Sequence, residues 1–506
     1  MSEKQKPSST NTETSPSVTV EEIQRHNTEN DCWIVVDDVV WDITEFASEH
    51  PGGSEVIYSH AGLDASETYN AAHAPSLLPR TLHHSKRIGT LSTPPTSRNL
   101  LKPPPKPSTQ PTLALATKPP LHTLINTYDF ESVAAQTLSQ KTYAFYSSAA
   151  TNLVTRDANR SIYDRIWFRP RMLRNVRHVD TRTSMLGEKV EVPFFVSPAA
   201  MARLSHPDGE KGIARACKEW GVAQCISTNA AFPMQEITSS VPSNTIPFFF
   251  QLYINKDRSA SEALLRDAEK NNIKGIWFTI DGPVQGKREG DERVKVEATT
   301  NAKAAISGAA AQNDKRGGGM GRTMGGYIDP TFNWEDVAWL RRSTKLPLVA
   351  KGVMTAEDAV LAVKYGLDGI VISNHGGRNL DTSPPSLLTL MEIRKHHPEV
   401  FQHLEVFVDG GVRRGTDIIK ALCLGAKAVG MGRPFLYSLA YGQEGVEHFI
   451  DIMKDEMETT MRLLGITDLS QCHPRYLNVC DVEHLIPKSL ESPFPEIPQS
   501  SVKAKL

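Results

Sequence analysis

Eight short apolar runs, separated by stretches of helical periodicity, recur between residues 192 and 434. Continuous rather than alternating apolarity is typical of parallel strands that are buried on both faces. The segments that begin at Ser261 and Thr355 carry apolar residues at helical spacing. The pattern therefore predicts an α/β fold, a (β/α)8 TIM barrel. The runs are VPFFVS from Val192, VAQCIS from Val222, PFFFQLY from Pro247, GIWFTID from Gly275, LPLVAKG from Leu346, GIVISNHG from Gly369, LEVFVDGG from Leu404 and AVGMGRP from Ala428.

One interval between these runs is much longer than the others. After the fourth run, the chain from Gly286 to Tyr327 is rich in alanine and glycine. Long loops of this kind in a compact domain are usually functional. We therefore expect a mobile active-site loop here rather than a barrel element.

A proline-rich stretch at residues 92–120 divides the chain, because such a composition favours extended conformations and cannot build a core. We expect a disordered tail at residues 1–16, a small domain at 17–91, a linker at 92–120, the barrel at 121–485 and a C-terminal tail at 486–506. The small domain should be α+β, because strand-like and helical runs alternate in it.

Charge and composition exclude several classes of function. The 56 lysines and arginines nearly balance the 58 acidic residues, for a net charge of −2, so a nucleic-acid partner is not expected. The six cysteines form no C-x-x-C pair, which argues against a disulfide framework or a thiolate zinc site. No apolar run is long enough for a membrane span.

The two termini bear on the compartment. The first residues lack the features of a secretory signal or a transit peptide. The chain ends Ala504-Lys505-Leu506, which is close to the S-K-L peroxisomal address. A peroxisomal location is one expectation, with the cytoplasm or the mitochondrion as the alternatives.

Two histidines of the small domain, His50 and His73, each precede a turn. Two facing neutral imidazoles can occupy both axial positions of a haem iron, which leaves a centre that only transfers electrons. Taken alone, either side chain could equally be a surface histidine. The segment resembles the cytochrome b5 domain, with the His50-Pro51-Gly52-Gly53 turn and the Cys32-Trp33 strand in place. The resemblance implies haem b with His50 and His73 as its iron ligands.

The predicted ends of the barrel strands are rich in chemically active residues. Strand seven ends in the motif D-G-G-V-R-R-G from Asp409, and strand eight ends in G-M-G-R-P from Gly430. Two adjacent Gly-Arg loops favour a phosphate-bearing cofactor, because backbone N–H groups and a guanidinium both bind phosphate. No G-x-G-x-x-G followed by an acidic residue is apparent, which counts against a Rossmann nicotinamide site. Strand six ends in S-N-H-G-G-R from Ser373, which places an imidazole beside an anion clamp.

The barrel resembles the FMN-dependent L-2-hydroxy-acid oxidase and dehydrogenase family, to which glycolate oxidase belongs, from about Tyr128 to Leu469. The S-N-H-G-G-R and D-G-G-V-R-R-G motifs carry the resemblance. It implies that His375 takes a proton from the substrate and that Asp281 stabilises the resulting imidazolium. Arg378 and Arg288 are then the residues that bind the substrate carboxylate. Tyr253 hydrogen-bonds to that carboxylate or to the substrate hydroxyl.

The same resemblance implies the FMN contacts. Lys351 would lie beside the flavin N1/C2 carbonyl, where a cation stabilises the reduced ring. The residues that would line the flavin are Ala199, Ala200, Ser227, Gln251, Thr279 and Ser373. Those that would contact the ribityl chain and phosphate are Asp409, Gly410, Gly411, Arg413, Gly432 and Arg433.

Two positions depart from the family pattern. Phe145 stands where the family usually has a tyrosine that reaches the substrate carboxylate, so one donor is missing. Asn229 stands at a pocket position that is generally apolar, and Ala200 leaves room beside it. A larger or more polar 2-hydroxy acid is therefore an alternative to lactate.

The combined resemblance implies an L-2-hydroxy-acid dehydrogenase of the haem-containing L-lactate dehydrogenase group. Electrons would pass from flavin to haem and on to a cytochrome c-type acceptor, in a homo-oligomer that the resemblance makes a tetramer. One alternative is a hydroxy-acid oxidase that forms hydrogen peroxide. The other is a non-catalytic haem electron carrier with a degenerate barrel.

Overall fold

The computed structural model describes residues 16–50, 54–73, 77–92, 101, 118–297, 300 and 302–490. The chain forms two compact units, Met1–Ala114 and Leu115–Leu506. The expected tails at 1–16 and 486–506 and the linker at 92–120 lie mostly outside the described residues. The turn residues Pro51, Gly52 and Gly53 and the C-terminal tripeptide lie outside them entirely. The five segment boundaries therefore stay predictions.

The first unit is built on a mixed sheet. Strand Asp31–Val36 pairs antiparallel with Val39–Asp42 and parallel with Leu63–Asp64. The apolar side chains of these strands alternate between two small cores, one of which includes Cys32, Ile34 and Trp41. The other strands are Ser17–Val18, Asn27–Thr28 and Arg87–Leu91; the α-helices are Val20–Ile23, Ser54–Tyr58, Ser66–Ala72 and Leu77–Thr81; and the short 3-10 helices are Ala47–Glu49 and His84–Lys86.

The second unit is the TIM barrel that the sequence predicts. All eight apolar runs form parallel strands, and the first strand pairs with the last, so that the sheet closes. The strands are β1 (Phe194–Val196), β2 (Ala223–Ser227), β3 (Phe248–Leu252), β4 (Ile276–Thr279), β5 (Leu348–Val353), β6 (Gly369–Ile372), β7 (Glu405–Asp409) and β8 (Ala428–Met431).

An aromatic cluster fills the interior of the barrel. Trp277 stacks on Phe249 and Phe407, with ring centres 5.3 and 5.2 Å apart, and its edge meets Phe195. Met185, on the hairpin of strands Thr183–Met185 and Glu188–Val190, packs against the same cluster. Buried aromatic area of this kind makes the barrel a solid core, which restricts any ligand to its ends.

Helices surround the barrel and precede it. Asn126 and Asp129 form a capping box at the start of Thr127–Thr137, and Thr355 caps Ala356–Lys364. The α-helices of this unit are Thr127–Thr137, Gln140–Ser147, Val154–Asp164, Gly209–Trp220, Met234–Thr238, Arg258–Lys270, Glu289–Glu292, Met320–Met324, Val337–Ser343, Ala356–Lys364, Ser386–His396, Val400–His403, Gly415–Cys423, Arg433–Ser438, Gly442–Leu464 and Cys480–Glu483. A small ribbon pairs Trp167–Phe168 with Leu477–Asn478. Among the described residues, no helix has the length and apolarity needed to cross a membrane.

The long interval after β4 contains two short helices, Glu289–Glu292 and Met320–Met324. A buried ion pair attaches it to helix Gln140–Ser147. Lys141 Nζ lies 2.6 Å from Asp291 Oδ1 and also donates to the carbonyls of Asp291, Val294 and Gly318. This ammonium group is therefore fully satisfied, and the interval is fixed at that point.

The burial of this ion pair predicts a large effect of Lys141→Met on stability. Both side chains are at most 2% exposed, so the variant leaves an uncompensated carboxylate, at a cost of about 3–5 kcal/mol. Lys287→Met is the matched control, because Lys287 forms a solvent-screened pair with Glu289 whose loss should leave the unfolding midpoint nearly unchanged. Urea unfolding of both variants measures the difference. Equal midpoints would contradict the prediction.

Candidate active site

A cavity of about 390 Å³ opens at the carboxyl ends of the barrel strands. Its volume falls within the usual range for small-molecule and cofactor sites. Most of the side chains that the sequence predicts for the site line this cavity. They are Ala199, Ala200, Ser227, Gln251, Tyr253, Thr279, Arg288, Lys351, His375, Arg378, Asp409, Gly410, Gly411, Arg413, Gly432 and Arg433.

Asp281 and Ser373, which do not line the cavity, lie directly behind it. Asp281 Oδ1 is 2.8 Å from His375 Nδ1, and Ser373 Oγ accepts from the His375 backbone N–H at 3.1 Å. Ser373 Oγ also accepts from Lys351 Nζ at 2.9 Å. Both residues therefore orient groups that face the cavity.

The His375 imidazole is held by groups at both of its nitrogens. While Nδ1 faces Asp281, Nε2 lies 3.4 Å from the Tyr253 hydroxyl. His375 itself has a left-handed backbone, with φ of 59°. Such a conformation is uncommon for a residue with a side chain and often occurs at functional sites. The geometry leaves Nε2 as the nitrogen that can exchange a proton with a bound molecule.

A glycine allows Asp281 to approach this closely. Gly352 follows Lys351 with φ of 116°, and a Cβ atom added there would lie 2.5 Å from Asp281 Cβ. The pairing of β5 with β6 also shifts register between Lys351 and Val353. A side chain at position 352 would displace the carboxylate from the imidazole.

The environment sets the protonation of the pair. Burial lowers the pKa of His375 below its ordinary value, and the neighbouring Asp281 only partly opposes this. Burial would raise the pKa of Asp281, but His375, Lys351 and Arg288 together hold it below its usual range. At neutral pH the imidazole is therefore neutral and the carboxylate is charged, which is the arrangement that a general base requires.

Three guanidinium groups meet on one side of the cavity. Arg378 Nη1 donates to the carbonyls of Phe145, Tyr146 and Ser148, and Arg433 donates to those of Tyr146 and Ser148 and to Gly376. Arg288 Nε donates to the Arg378 carbonyl at 3.1 Å.

The carbonyls at 145, 146 and 148 belong to the carboxyl end of helix Gln140–Ser147, where the helix dipole favours cations. Burial lowers the pKa of Arg378 and of Arg288, and it lowers that of Arg433 to about 10. All three side chains remain cationic at neutral pH.

The floor of the cavity contains a buried ion pair that fits the cofactor expected from the sequence. Lys351 Nζ lies 3.3 Å from Asp409 Oδ2, while Asp409 Oδ1 is buried and has no hydrogen-bond partner in the described part of the chain. An unpaired buried acceptor favours a ligand that carries hydroxyl donors, such as a ribityl chain. Gly432 adds open space, because a Cβ there would meet only Ser197 Cβ, at 3.8 Å. The residues present therefore fit FMN.

A chain of polar side chains crosses strands β2, β3 and β4 below this ion pair. Ser227 Oγ donates to Gln251 Oε1, and Gln251 Nε2 donates to Thr279 Oγ1 at 2.8 Å. These groups fix the Gln251 amide in one orientation. The amide can therefore present a defined edge to a planar ring.

The two histidines of the first unit face each other. His50 follows helix Ala47–Glu49, and His73 follows helix Ser66–Ala72. Their ring centres lie 5.9 Å apart, with the ring planes at 86°. Two imidazole nitrogens that each bond one metal ion at about 2 Å place their ring centres at about this separation. The residues present therefore fit haem, whose iron His50 and His73 would hold.

Sequence reasoning missed several groups that support the site. Asn379 Nδ2 donates to the carbonyl of Asp281, and Asn159 exchanges two hydrogen bonds with Asn374. Glu131 lies 3.2 Å from Arg413 Nη1. Asn379 directly follows the S-N-H-G-G-R motif, so its position in the sequence could have indicated it. Asn159 and Glu131 come from helices before the barrel, where no motif indicates them.

Comparisons with known proteins agree with this arrangement. Residues 134–479 match the family model described as FMN-dependent dehydrogenase, and residues 19–92 match that of the cytochrome b5-like heme/steroid binding domain. The chain is 42% identical over 472 residues to L-lactate dehydrogenase (cytochrome) of Saccharomyces cerevisiae, which covers 90% of this chain and 79% of that protein. It is also 40% identical over 352 residues to glycolate oxidase of Spinacia oleracea. That match covers 69% of this chain and 94% of the relative.

Solved structures give the same result. The flavin-binding domain of baker's yeast flavocytochrome b2 is similar, with a TM-score of 0.65 and 42% identity, covering 74% of this chain and 91% of that one. A structure of mandelate oxidase with (S)-4-hydroxymandelic acid is also similar, with a TM-score of 0.65 and 34% identity. The match covers 70% of this chain and 98% of that one.

The His375–Asp281 pair predicts the pH dependence of any proton transfer at His375. Because the pKa of His375 lies below 6.5 and the neutral form is the base, kcat/KM should fall only as the pH drops below that value. Asp281→Asn removes an interaction that raises this pKa, so the acid limb should move to lower pH. The plateau of kcat/KM at higher pH should drop about a hundredfold or more, because the His375 imidazole loses the carboxylate that orients it. Asp451→Asn, an exposed acid-to-amide change on helix Gly442–Leu464, is the control. If the acid limb of the pH profile does not move and the plateau of kcat/KM stays at the parental value, the assignment of His375 as the base is contradicted.

Proposed function

This chain belongs to the FMN-dependent dehydrogenase family, and we propose that it oxidises an L-2-hydroxy acid of the lactate type to the 2-oxo acid. The enzyme depends on FMN and haem. We propose a cytochrome c-type protein as the final acceptor. The observation that carries the proposal is a single cavity in which a neutral imidazole faces three guanidinium groups.

The residues divide the chemistry between them. His375 Nε2 takes a proton from the substrate, from C2 or from the hydroxyl, and Asp281 stabilises the imidazolium that forms. Tyr253 lies 3.4 Å from that nitrogen, and burial raises the pKa of Tyr253 to about 12, so its hydroxyl stays protonated and donates. When bound, FMN accepts the two electrons of the oxidation, and haem passes them on singly.

Arg378 and Arg288 provide the positive charge for the substrate carboxylate. Because Arg378 Nη1 is occupied by three carbonyls, its other N–H groups are the ones available to a ligand. The Phe145 ring lies 5.4 Å from this guanidinium and supplies no hydroxyl. Carboxylate binding in this chain therefore depends on the arginines more than on a phenol at position 145.

A hydroxy-acid oxidase is the second candidate. It is supported by the 40% identity to glycolate oxidase, a relative of the barrel unit that spans 69% of this chain. The first unit argues for the dehydrogenase, because its facing histidines would hold a haem, which transfers electrons one at a time. A non-catalytic carrier is disfavoured, since the base, the arginines and the flavin residues line one cavity.

Anaerobic addition of L-lactate to the holoenzyme should bleach the flavin and then produce reduced-haem bands. In His73→Ala the haem should be lost, whereas the flavin should still bleach and cytochrome c reduction should fall steeply. His84→Ala, which changes an exposed imidazole of the same unit, should behave as the parent. Parental cytochrome c reduction by haem-free enzyme would refute the relay. Peroxide on re-aeration without haem reduction would favour the oxidase.

We further propose peroxisomal import, which rests on the Ala504-Lys505-Leu506 motif, outside the described residues. A fluorescent fusion should localise to peroxisomes and become diffuse when these three residues are removed. The same cytosolic or mitochondrial distribution with and without them would refute the proposal.

We also propose a homo-oligomer, a tetramer as the family resemblance implies. Large apolar side chains that a monomer exposes support it, since Trp167, Met172 and Leu173 are 68%, 70% and 106% exposed. Sedimentation equilibrium should give about four times the chain mass. A monomeric mass at micromolar concentration would contradict it.

A further inference from the structure

Asn229 occupies the substrate side of the cavity. It follows β2 and lines the cavity together with Tyr253 and His375. Strands β2 and β3 pair in register at Ser227 and Gln251. Just beyond this pair, the Tyr253 N–H donates to Thr228 Oγ1 at 3.1 Å, so Tyr253 contacts the residue that precedes Asn229. Because Tyr253 contacts the proposed base, Asn229 lies next to the place where substrate binds.

The side-chain oxygen of Asn229 is already occupied. Ser307 Oγ lies 2.6 Å from Asn229 Oδ1, and the Tyr327 hydroxyl lies 3.1 Å from the same atom. Ser307 Oγ accepts from the Ala309 N–H at 3.2 Å, which leaves its own hydrogen for Asn229. Both hydroxyls belong to the long interval after β4. They therefore fix the amide with its oxygen toward that interval.

The amide nitrogen consequently remains available. In the part of the chain that the structure describes, no group accepts a hydrogen bond from Asn229 Nδ2. This nitrogen carries two donors and borders the cavity, with Ala200 as a small neighbour on the cavity wall. A ligand that places an apolar group here leaves a buried donor unpaired, whereas an acceptor group satisfies it.

We propose that the preferred substrate carries a hydrogen-bond acceptor on the carbon chain beyond C2, which Asn229 Nδ2 recognises. This inference rests on the proposed function and specifies its substrate class. The acceptor is a hydroxyl, carbonyl or carboxylate oxygen. A 2-hydroxy acid with a purely aliphatic chain is a poorer substrate. The difference in kcat/KM is about tenfold to a hundredfold, the usual effect of an unpaired buried donor.

The test measures kcat/KM for anaerobic flavin reduction of the holoenzyme with four probes. L-Lactate and L-2-hydroxybutyrate have aliphatic chains, L-glycerate adds a hydroxyl, and L-malate adds a carboxylate. The parent should prefer glycerate or malate over 2-hydroxybutyrate by about tenfold or more. Preference for malate identifies a carboxylate, preference for glycerate identifies a hydroxyl, and either result supports the proposal.

Two variants distinguish the hydrogen-bond donors of Asn229 Nδ2 from the contacts that hold the Asn229 amide in place. Asn229→Asp keeps an oxygen for Ser307 and Tyr327 but replaces the two donors with an acceptor, so the preference should vanish, most strongly for malate. Ser307→Ala removes one hydroxyl and leaves Tyr327 to hold the amide, so the order of the four probes should persist. Gln402→Glu, an exposed amide-to-acid change, is the control and should match the parent.

Failure of this inference is distinguishable from failure of the proposed function. If lactate or 2-hydroxybutyrate is preferred and Asn229→Asp leaves the probe ratios unchanged, the role of Asn229 is overturned while flavin reduction still supports the dehydrogenase. If none of the four probes bleaches the flavin, the proposed function itself is overturned.

Discussion

Closure of the barrel is the constraint on which the rest of the structure depends. Hydrogen bonds between β1 and β8 complete a ring of eight parallel strands, so all carboxyl ends lie at one mouth. The aromatic interior around Trp277 excludes ligands from below. Groups that are far apart in sequence, such as Asp281 and His375, therefore meet at hydrogen-bond distance. The chemistry follows from this common edge rather than from any local motif.

Electrostatic balance at the mouth comes partly from outside the barrel. Three buried guanidinium groups would repel one another, but the carbonyls at the end of helix Gln140–Ser147 accept hydrogen bonds from Arg378 and Arg433. On the opposite side, Asp409 balances Lys351 and Asp281 faces His375. The site thus keeps fixed positive charge beside a neutral imidazole, as the proposed binding of a substrate carboxylate next to a base requires. A preorganised field of this kind is the usual source of catalytic stabilisation.

The sequence predicted the barrel and the family because both depend on local signals. The apolar runs identified every strand of the barrel. The family resemblance that the S-N-H-G-G-R and D-G-G-V-R-R-G motifs carry identified site residues of which most line the cavity. The roles of these residues stay predictions. The ion pair of Lys141 with Asp291, and the contacts of Asn229 with Ser307 and Tyr327, could not be predicted, since each joins segments without a shared motif. The internal structure of the Gly286–Tyr327 interval was hidden by its alanine and glycine content.

The carbonyls that hold the arginines also constrain how the chain folds during synthesis. Tyr146 is made 287 residues before Arg433, its partner from the far end of the barrel. At about 5–20 residues per second, that interval is roughly 15–60 s on the ribosome. For most of it, the carboxyl end of the helix that ends at Ser147 lacks both of its guanidinium partners, since Arg378 follows Tyr146 by 232 residues. Assembly of the active site is therefore a late event in biogenesis, and a nascent chain arrested before β8 has a helix and a barrel edge exposed to chaperones.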